Sequence, residues 1–104
     1  MYRPIISFSP DDVRLFLSMT GWRRKPEDDC GDWEGWQWGR HTLSILTNEK
    51  NEYLNSWLWE SLLSALNTVS SNQAHQVDML INFGMALEAK EHQCSSHPTT
   101  FDCS

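Results

Sequence analysis

Two runs, Trp33-Glu-Gly-Trp-Gln-Trp38 and His41-Thr-Leu-Ser-Ile-Leu46, flank the dipeptide Gly39-Arg40. Glycine at the first central position of a two-residue connection suits a type II′ turn, whose twist matches that of paired antiparallel strands. The turn fixes a register: Trp38 opposite His41, Trp36 opposite Leu43 and Glu34 opposite Ile45, all on one face. That face is apolar, and burial under helices is predicted for it. The other face pairs Gln37 with Thr42 and Gly35 with Ser44, side chains suited to water, with Trp33 and Leu46 at the far end. A slip of one residue would exchange the two faces, so the hairpin constrains whatever packs on it.

The flanking segments read as helices. Ser9-Pro10-Asp11-Asp12 is a helix start, with serine as cap, proline at the first helical position and acids at the positive end of the dipole. Val13, Phe16 and Leu17 form its buried face, and Gly21 stops it by tolerating the left-handed cap conformation. Ahead of it, Ile6 and Phe8 alternate with Ser7 as a short edge strand, or Phe8 alone staples the helix entry. Trp22 to Lys25 reads as a short strand, and Pro26 to Asp32 as a loop without periodicity. Leu54, Leu58, Leu62, Ala65, Leu66 and Val69 mark a second helix by their 3.6-residue period. Ser70-Ser-Asn-Gln73 has capping-box spacing, which predicts a third helix to about Lys90 and hence a helical hairpin. The expected fold is α+β: an N-terminal helix, a small antiparallel sheet with a β-hairpin at about 33–46, and a C-terminal helical hairpin packed on one sheet face. A chain of 104 residues suits a single domain. Residues 1–92 form it, and 93–104, which show neither period, read as a flexible tail.

Charge narrows the function. A net charge of −6 with eight basic residues opposes phosphate-backbone binding, which draws on lysine and arginine displacing counterions. It favours a basic partner, including a nucleic-acid-binding protein whose groove an acidic mimic would occupy. Three cysteines and an N-terminus without a long apolar leader suggest a reducing cytoplasm, and no run reaches the roughly 18 apolar residues of a membrane helix.

Three candidate surfaces stand out. The acids Glu27, Asp28, Asp29 and Asp32, with Glu34 next to them, read as a solvated loop or an electrostatic docking surface, since their spacing lacks the alternation of a calcium-binding hand. Trp33, on the far face of the hairpin, is the tryptophan of the acidic stretch available for an exposed contact. Trp36 and Trp38 read as core rather than as a cation-binding cage. On the second helix Trp57 flanks the leucine stripe, and aromatic anchors are enriched at interfaces. The third helix carries Val77, Leu80, Ile81, Gly84 and Leu87 on one side and a second stripe of Met79, Phe83 and Ala86. A helix apolar nearly all round is either sandwiched between layers or reserved for another chain, and Met79 and Phe83 are the residues expected to meet that partner.

No metal and no cofactor is expected, because His92, Cys94, His97 and Cys103 match no paired zinc spacing. No catalytic residue is assigned: the chain offers no nucleophile signature, and at the turn a structural hydrogen bond is as open to His41 as general-base work. The order helix, three short strands, helix over about residues 9–69, with Gly21-Trp22 after the first helix, resembles the topology of double-stranded-RNA-binding domains and of the related HicA-like RNA-cleaving toxins. The glycine-serine-histidine strand motif and basic surface of those toxins are not present, so no functional residue is carried over.

The expectation is therefore a non-enzymatic, acidic protein-binding module: an inhibitor, an immunity or antitoxin-like protein, or a phage counter-defence protein such as an anti-CRISPR or nucleic-acid mimic. The alternatives are a homodimeric structural protein and an RNA-processing enzyme of that topology, whose cleavage would depend on His41.

Overall fold

The computed structural model describes residues 8 to 95, with side chains described from 8 to 89. Helix α1 spans Pro10–Met19 and starts as its sequence dictates. Asp12 N–H donates to Ser9 Oγ at 3.3 Å, and Ser9 N–H donates to the Asp12 carboxylate at 3.0 Å. This reciprocal box satisfies two amides that the first turn leaves without helical partners. At the other end Gly21, at φ 98°, turns the chain so that Trp22 N–H reaches Leu17 O at 2.9 Å. That cap delivers the chain into β1, Arg23–Arg24.

Strands β2 (Trp33–Trp38) and β3 (His41–Leu46) complete an antiparallel sheet in the order β1-β2-β3. The register is the one the turn predicts, with Trp38 opposite His41, Trp36 opposite Leu43 and Glu34 opposite Ile45. Gly39 has φ 58° and Arg40 has no positive φ, which is the II′ pattern rather than I′. The apolar face is covered by α1 and by α2 (Leu54–Val69). Val13, Phe16, Leu17, Trp22, Trp36, Ile45, Leu58, Leu62, Ala65 and Leu66 bury one core there. The Ser61 hydroxyl, inside the α2–β3 contact, donates to Ser44 O at 3.0 Å and so carries no unpaired polar group into it.

The second sheet face departs from expectation, because it is not left wholly to water. A 3₁₀ turn, Pro26–Asp28, lies over Gly35, which is buried. A Cβ placed on Gly35 would stand 2.5 Å from Asp28 Cβ and 2.8 Å from Lys25 O, so the close approach requires glycine. Leu46 is buried as well.

Helix α3 spans Gln73–Ser95, past the expected end at Lys90 and into the segment read as tail. Its cap is Asn72, whose Oδ1 accepts from His75 N–H at 3.0 Å. Ser70, expected to cap it, instead closes α2. Residues 96–104 lie outside the described residues, as do Ile6 and Ser7 of the expected edge strand. Phe8 is buried, belongs to no strand, and donates its N–H to Asn55 Oδ1 at 2.8 Å. Among the described residues no helix is long and apolar enough to cross a membrane.

The stripe of α3 expected to meet a partner faces the core instead, joined there by Leu87 of the other stripe. Phe83 is only 4% exposed, packs edge-on to Phe16 at 5.1 Å, and lies 6.0 Å from Phe8. Met79 and Leu87 pack beside it against the core. Val77, Leu80, Ile81 and Met85 face outward. Phe83 is thus a core residue and not a surface reserved for a partner, because its ring fills the gap between α1 and Phe8.

Candidate functional site

The acidic stretch is an ordered strap whose acids Glu27, Asp28, Asp29 and Asp32 remain exposed. Lys25 N–H donates to Gly35 O, and the 3₁₀ turn then closes through Asp28 N–H to Lys25 O and Asp29 N–H to Pro26 O. Cys30 and Trp33 exchange backbone hydrogen bonds around Gly31-Asp32, with Gly31 at φ 58°, a second turn of the Gly-x kind. Thr47 then donates its N–H and its hydroxyl to Asp32 O, both at 2.8 Å.

Several of the expected docking acids also make contacts within the chain. Asp29 takes both Nη groups of Arg24 at 2.8 Å and also accepts from Gly35 N–H at 2.8 Å. The hydrogen bonds from Arg24, then from Gly35, hold its pKa below the ordinary aspartate value. Asp28 lies 3.6 Å from Lys25 Nζ, and the Asp32 carboxylate accepts from Asn48 Nδ2 at 3.2 Å. Glu27 is exposed.

Glu34 is the centre of the charged layer and was placed beside the docking acids by sequence reasoning. Its side chain is 12% exposed. It accepts from Arg14 Nε at 2.9 Å and Nη2 at 3.1 Å, and from Trp36 Nε1 at 2.9 Å, with Arg24 Nε at 3.5 Å. Burial pushes the carboxyl up, but the hydrogen bonds from Arg14 and Trp36 and the charges of Arg14 and Arg24 outweigh it and hold its pKa low. The bond to Glu34 in turn raises the Arg14 pKa, and Arg14 also pairs with Asp11 at 2.7 Å. This network joins α1, β1 and β2, so its role is structural. Trp36 is core, as expected, and its indole N–H is satisfied by Glu34.

Trp33 and Trp57, named separately from the sequence, meet. Their rings stand 5.4 Å apart at 87°, edge to face. This contact links the start of β2 to α2 across a stretch of chain that no local pattern spans. Trp57 remains 46% exposed and Tyr53, one turn earlier, 61%. With Ser56 and Glu60 they line an open recess of about 520 Å³.

The second uncovered surface is the outward side of α3, where Val77, Leu80, Ile81 and Met85 stand exposed. Beside it Phe8, Trp59, Leu62, Leu80, Phe83, Gly84 and Leu87 line an apolar groove of about 260 Å³. Met79 sits on the inner side and is half-buried. Of the eight residues picked from sequence, Trp33 and Trp57 are therefore brought together. The acids form a strap on the far sheet face, and Met79 and Phe83 turn inward. Leu80 and Ile81, from the other stripe, and Met85, from neither, are the exposed residues that were not picked, because both stripes are apolar and nothing local says which meets the core.

His41 lies flat on Trp38, with ring centres 5.9 Å apart. Cys30 is exposed. The side chains of His92, Cys94, His97 and Cys103 lie outside the described residues, and among the described ones no three His, Cys, Asp or Glu groups converge on a metal-sized point.

Comparison with family models, curated proteins and solved structures gave no match to this chain.

Proposed function

We propose that this chain is a small, acidic, non-catalytic protein-binding module that acts by occluding another protein. The observation that supports it is the uncovered stripe Val77, Leu80, Ile81 and Met85 on α3. A helix with two apolar sides is stabilised fully only when both are covered, and the fold covers one. Contiguous exposed apolar surface rimmed by polar groups marks interaction sites. The net charge of −6 favours a basic partner, a nucleic-acid-binding protein among them, over nucleic acid itself. Inhibitor, immunity, antitoxin-like or counter-defence roles all fit a module of this kind, working in the cytoplasm without a cofactor.

The test replaces Val77 and Ile81 together with glutamate. Both are exposed, so the unfolding midpoint should hold, while a specific stoichiometric protein retained by the wild-type chain from its native lysate should be lost. Retention of no specific protein, or equal retention by the variant, refutes the reading.

A second reading is self-association. Ala74, Val77, Ile81 and Gly84 are all exposed and follow the three-four spacing of a coiled-coil seam. Sedimentation equilibrium showing a dimer that Ile81→Glu dissociates would establish it, and a monomer at high concentration would exclude it.

A further inference from the structure

We infer that the recess on α2 formed by Tyr53, Ser56, Trp57 and Glu60 receives an arginine side chain from a basic partner protein. This extends the protein-binding reading but uses a different helix from the α3 stripe, so the two can fail separately.

The four residues fall at i, i+3, i+4 and i+7, one face of a helix and its entry turn. Two large aromatic side chains stand exposed there, although the core lies on the opposite side of α2 at Leu58, Leu62 and Ala65. The edge-to-face contact with Trp33 holds Trp57 while leaving nearly half of it open. An indole fixed in this way gives a ligand a ring to stack on without first ordering it.

The polar groups of the recess select the ligand. Glu60 has no ion pair or hydrogen bond among the described residues, unlike Glu34 and Asp29, which are held by arginines. An anion is repelled by Glu60, and a neutral apolar group would bury that carboxylate unpaired. A cation with an apolar stem satisfies both the rings and the charge. Between the two basic side chains, guanidinium is favoured: it is planar, so it stacks on the indole, and its forked N–H groups can reach Glu60 at the same time. A lysine ammonium is a more strongly hydrated point charge and gains less from the ring face. The acidic net charge of the whole chain adds a long-range attraction for basic partners.

The experiment is a two-dimensional ¹⁵N NMR titration of the full chain. The Trp57 indole N–H is assigned by its disappearance in Trp57→Phe. Capped tripeptides with arginine, lysine or glutamate at the centre are the probes. The arginine peptide should shift the Trp57 indole saturably, lysine should bind at least threefold more weakly, and glutamate should give no shift. Glu60→Gln should weaken arginine binding at least twofold, since exposed charge pairs are modest in strength, while the Val77 and Ile81 double variant should bind the peptide as wild type does. An unmoved Trp57 signal, equal binding of lysine, or a response indifferent to Glu60→Gln overturns the assignment.

Discussion

Gly35→Ala gives the sharpest test of how the acidic strap is built. Gly35 has no positive φ, so alanine is allowed by the backbone there, and the whole penalty is steric. The new methyl would stand 2.5 Å from Asp28 Cβ, 2.8 Å from Lys25 O and 3.1 Å from Asp28 C. None of these is the far end of a flexible side chain, so relief requires moving the 3₁₀ turn. Moving it also loosens the Asp29 hydrogen bond to Gly35 N–H. Overpacking of this kind costs about 1–3 kcal/mol, and a hydrogen bond to a charged group about 1.5–3 kcal/mol. Alanine returns about 0.5–1 kcal/mol by restricting the unfolded chain. The net expectation is a loss of roughly 3 kcal/mol, or a fall in Tm of roughly 15 °C for a domain of this size. Urea unfolding followed by far-ultraviolet circular dichroism reads it. The paired control is Gly84→Ala, in helix α3 with nothing within 4 Å of the added carbon, which should gain about 1 kcal/mol from helix propensity. A Gly35→Ala variant as stable as wild type, or both variants shifting the same way, would refute the strap's close packing.

Other perturbations follow from the same geometry. Glu34 and Asp29 both have lowered pKa values in the folded state. The unfolded chain therefore binds more protons in acid, and the stability these groups supply is complete above their unfolded values and lost as pH falls below about 4.5. Urea midpoints between pH 6 and pH 2.5 should decline for wild type and decline less steeply for Glu34→Gln, whose starting stability is already lower. Ser9→Ala removes one side of the capping box and should cost about 1 kcal/mol, read as a shift in urea midpoint. Phe83→Ala empties a core position and should cost about 3–5 kcal/mol, whereas Ile81→Ala, on the outward side of the same helix, should change the midpoint by less than about 1 kcal/mol. Equal losses at 81 and 83 would mean that the inner and outer stripes of α3 are not as described.

The hairpin was legible because two independent signals agreed on it. Gly39 set the turn and the alternation from Glu34 to Trp38 set the face, so one register satisfied both. The strap was missed although its grammar was present: Cys30-Gly31-Asp32-Trp33 repeats the Gly-x pattern of Trp38-Gly39-Arg40-His41, but no apolar alternation flanks it to announce a bridge. The neighbouring bases Arg23, Arg24 and Lys25 were legible as neutralising part of the acidic run, and Arg24 and Lys25 do pair with Asp29 and Asp28, whereas Arg14, the partner of Glu34, comes from a distant element. The orientation of α3 was not readable locally either. Both of its stripes are apolar, and the choice is made by Phe8 and Phe16, distant in sequence, which accept the Phe83 ring. The meeting of Trp33 with Trp57 has the same origin: each was a plausible surface aromatic alone, and only the fold makes them neighbours.

The carboxylate of Glu34 answers to two arginines and an indole drawn from three elements. Losing the charge at position 34 leaves two neighbouring guanidiniums with only their outer partners, Asp11 and Asp29, at a half-covered site. Glu27 and Arg40, both exposed, stand outside that cluster. Positions 14, 24, 34 and 36 are energetically coupled, so the effects of substitutions among them should depart from additivity, each change altering what the next one costs.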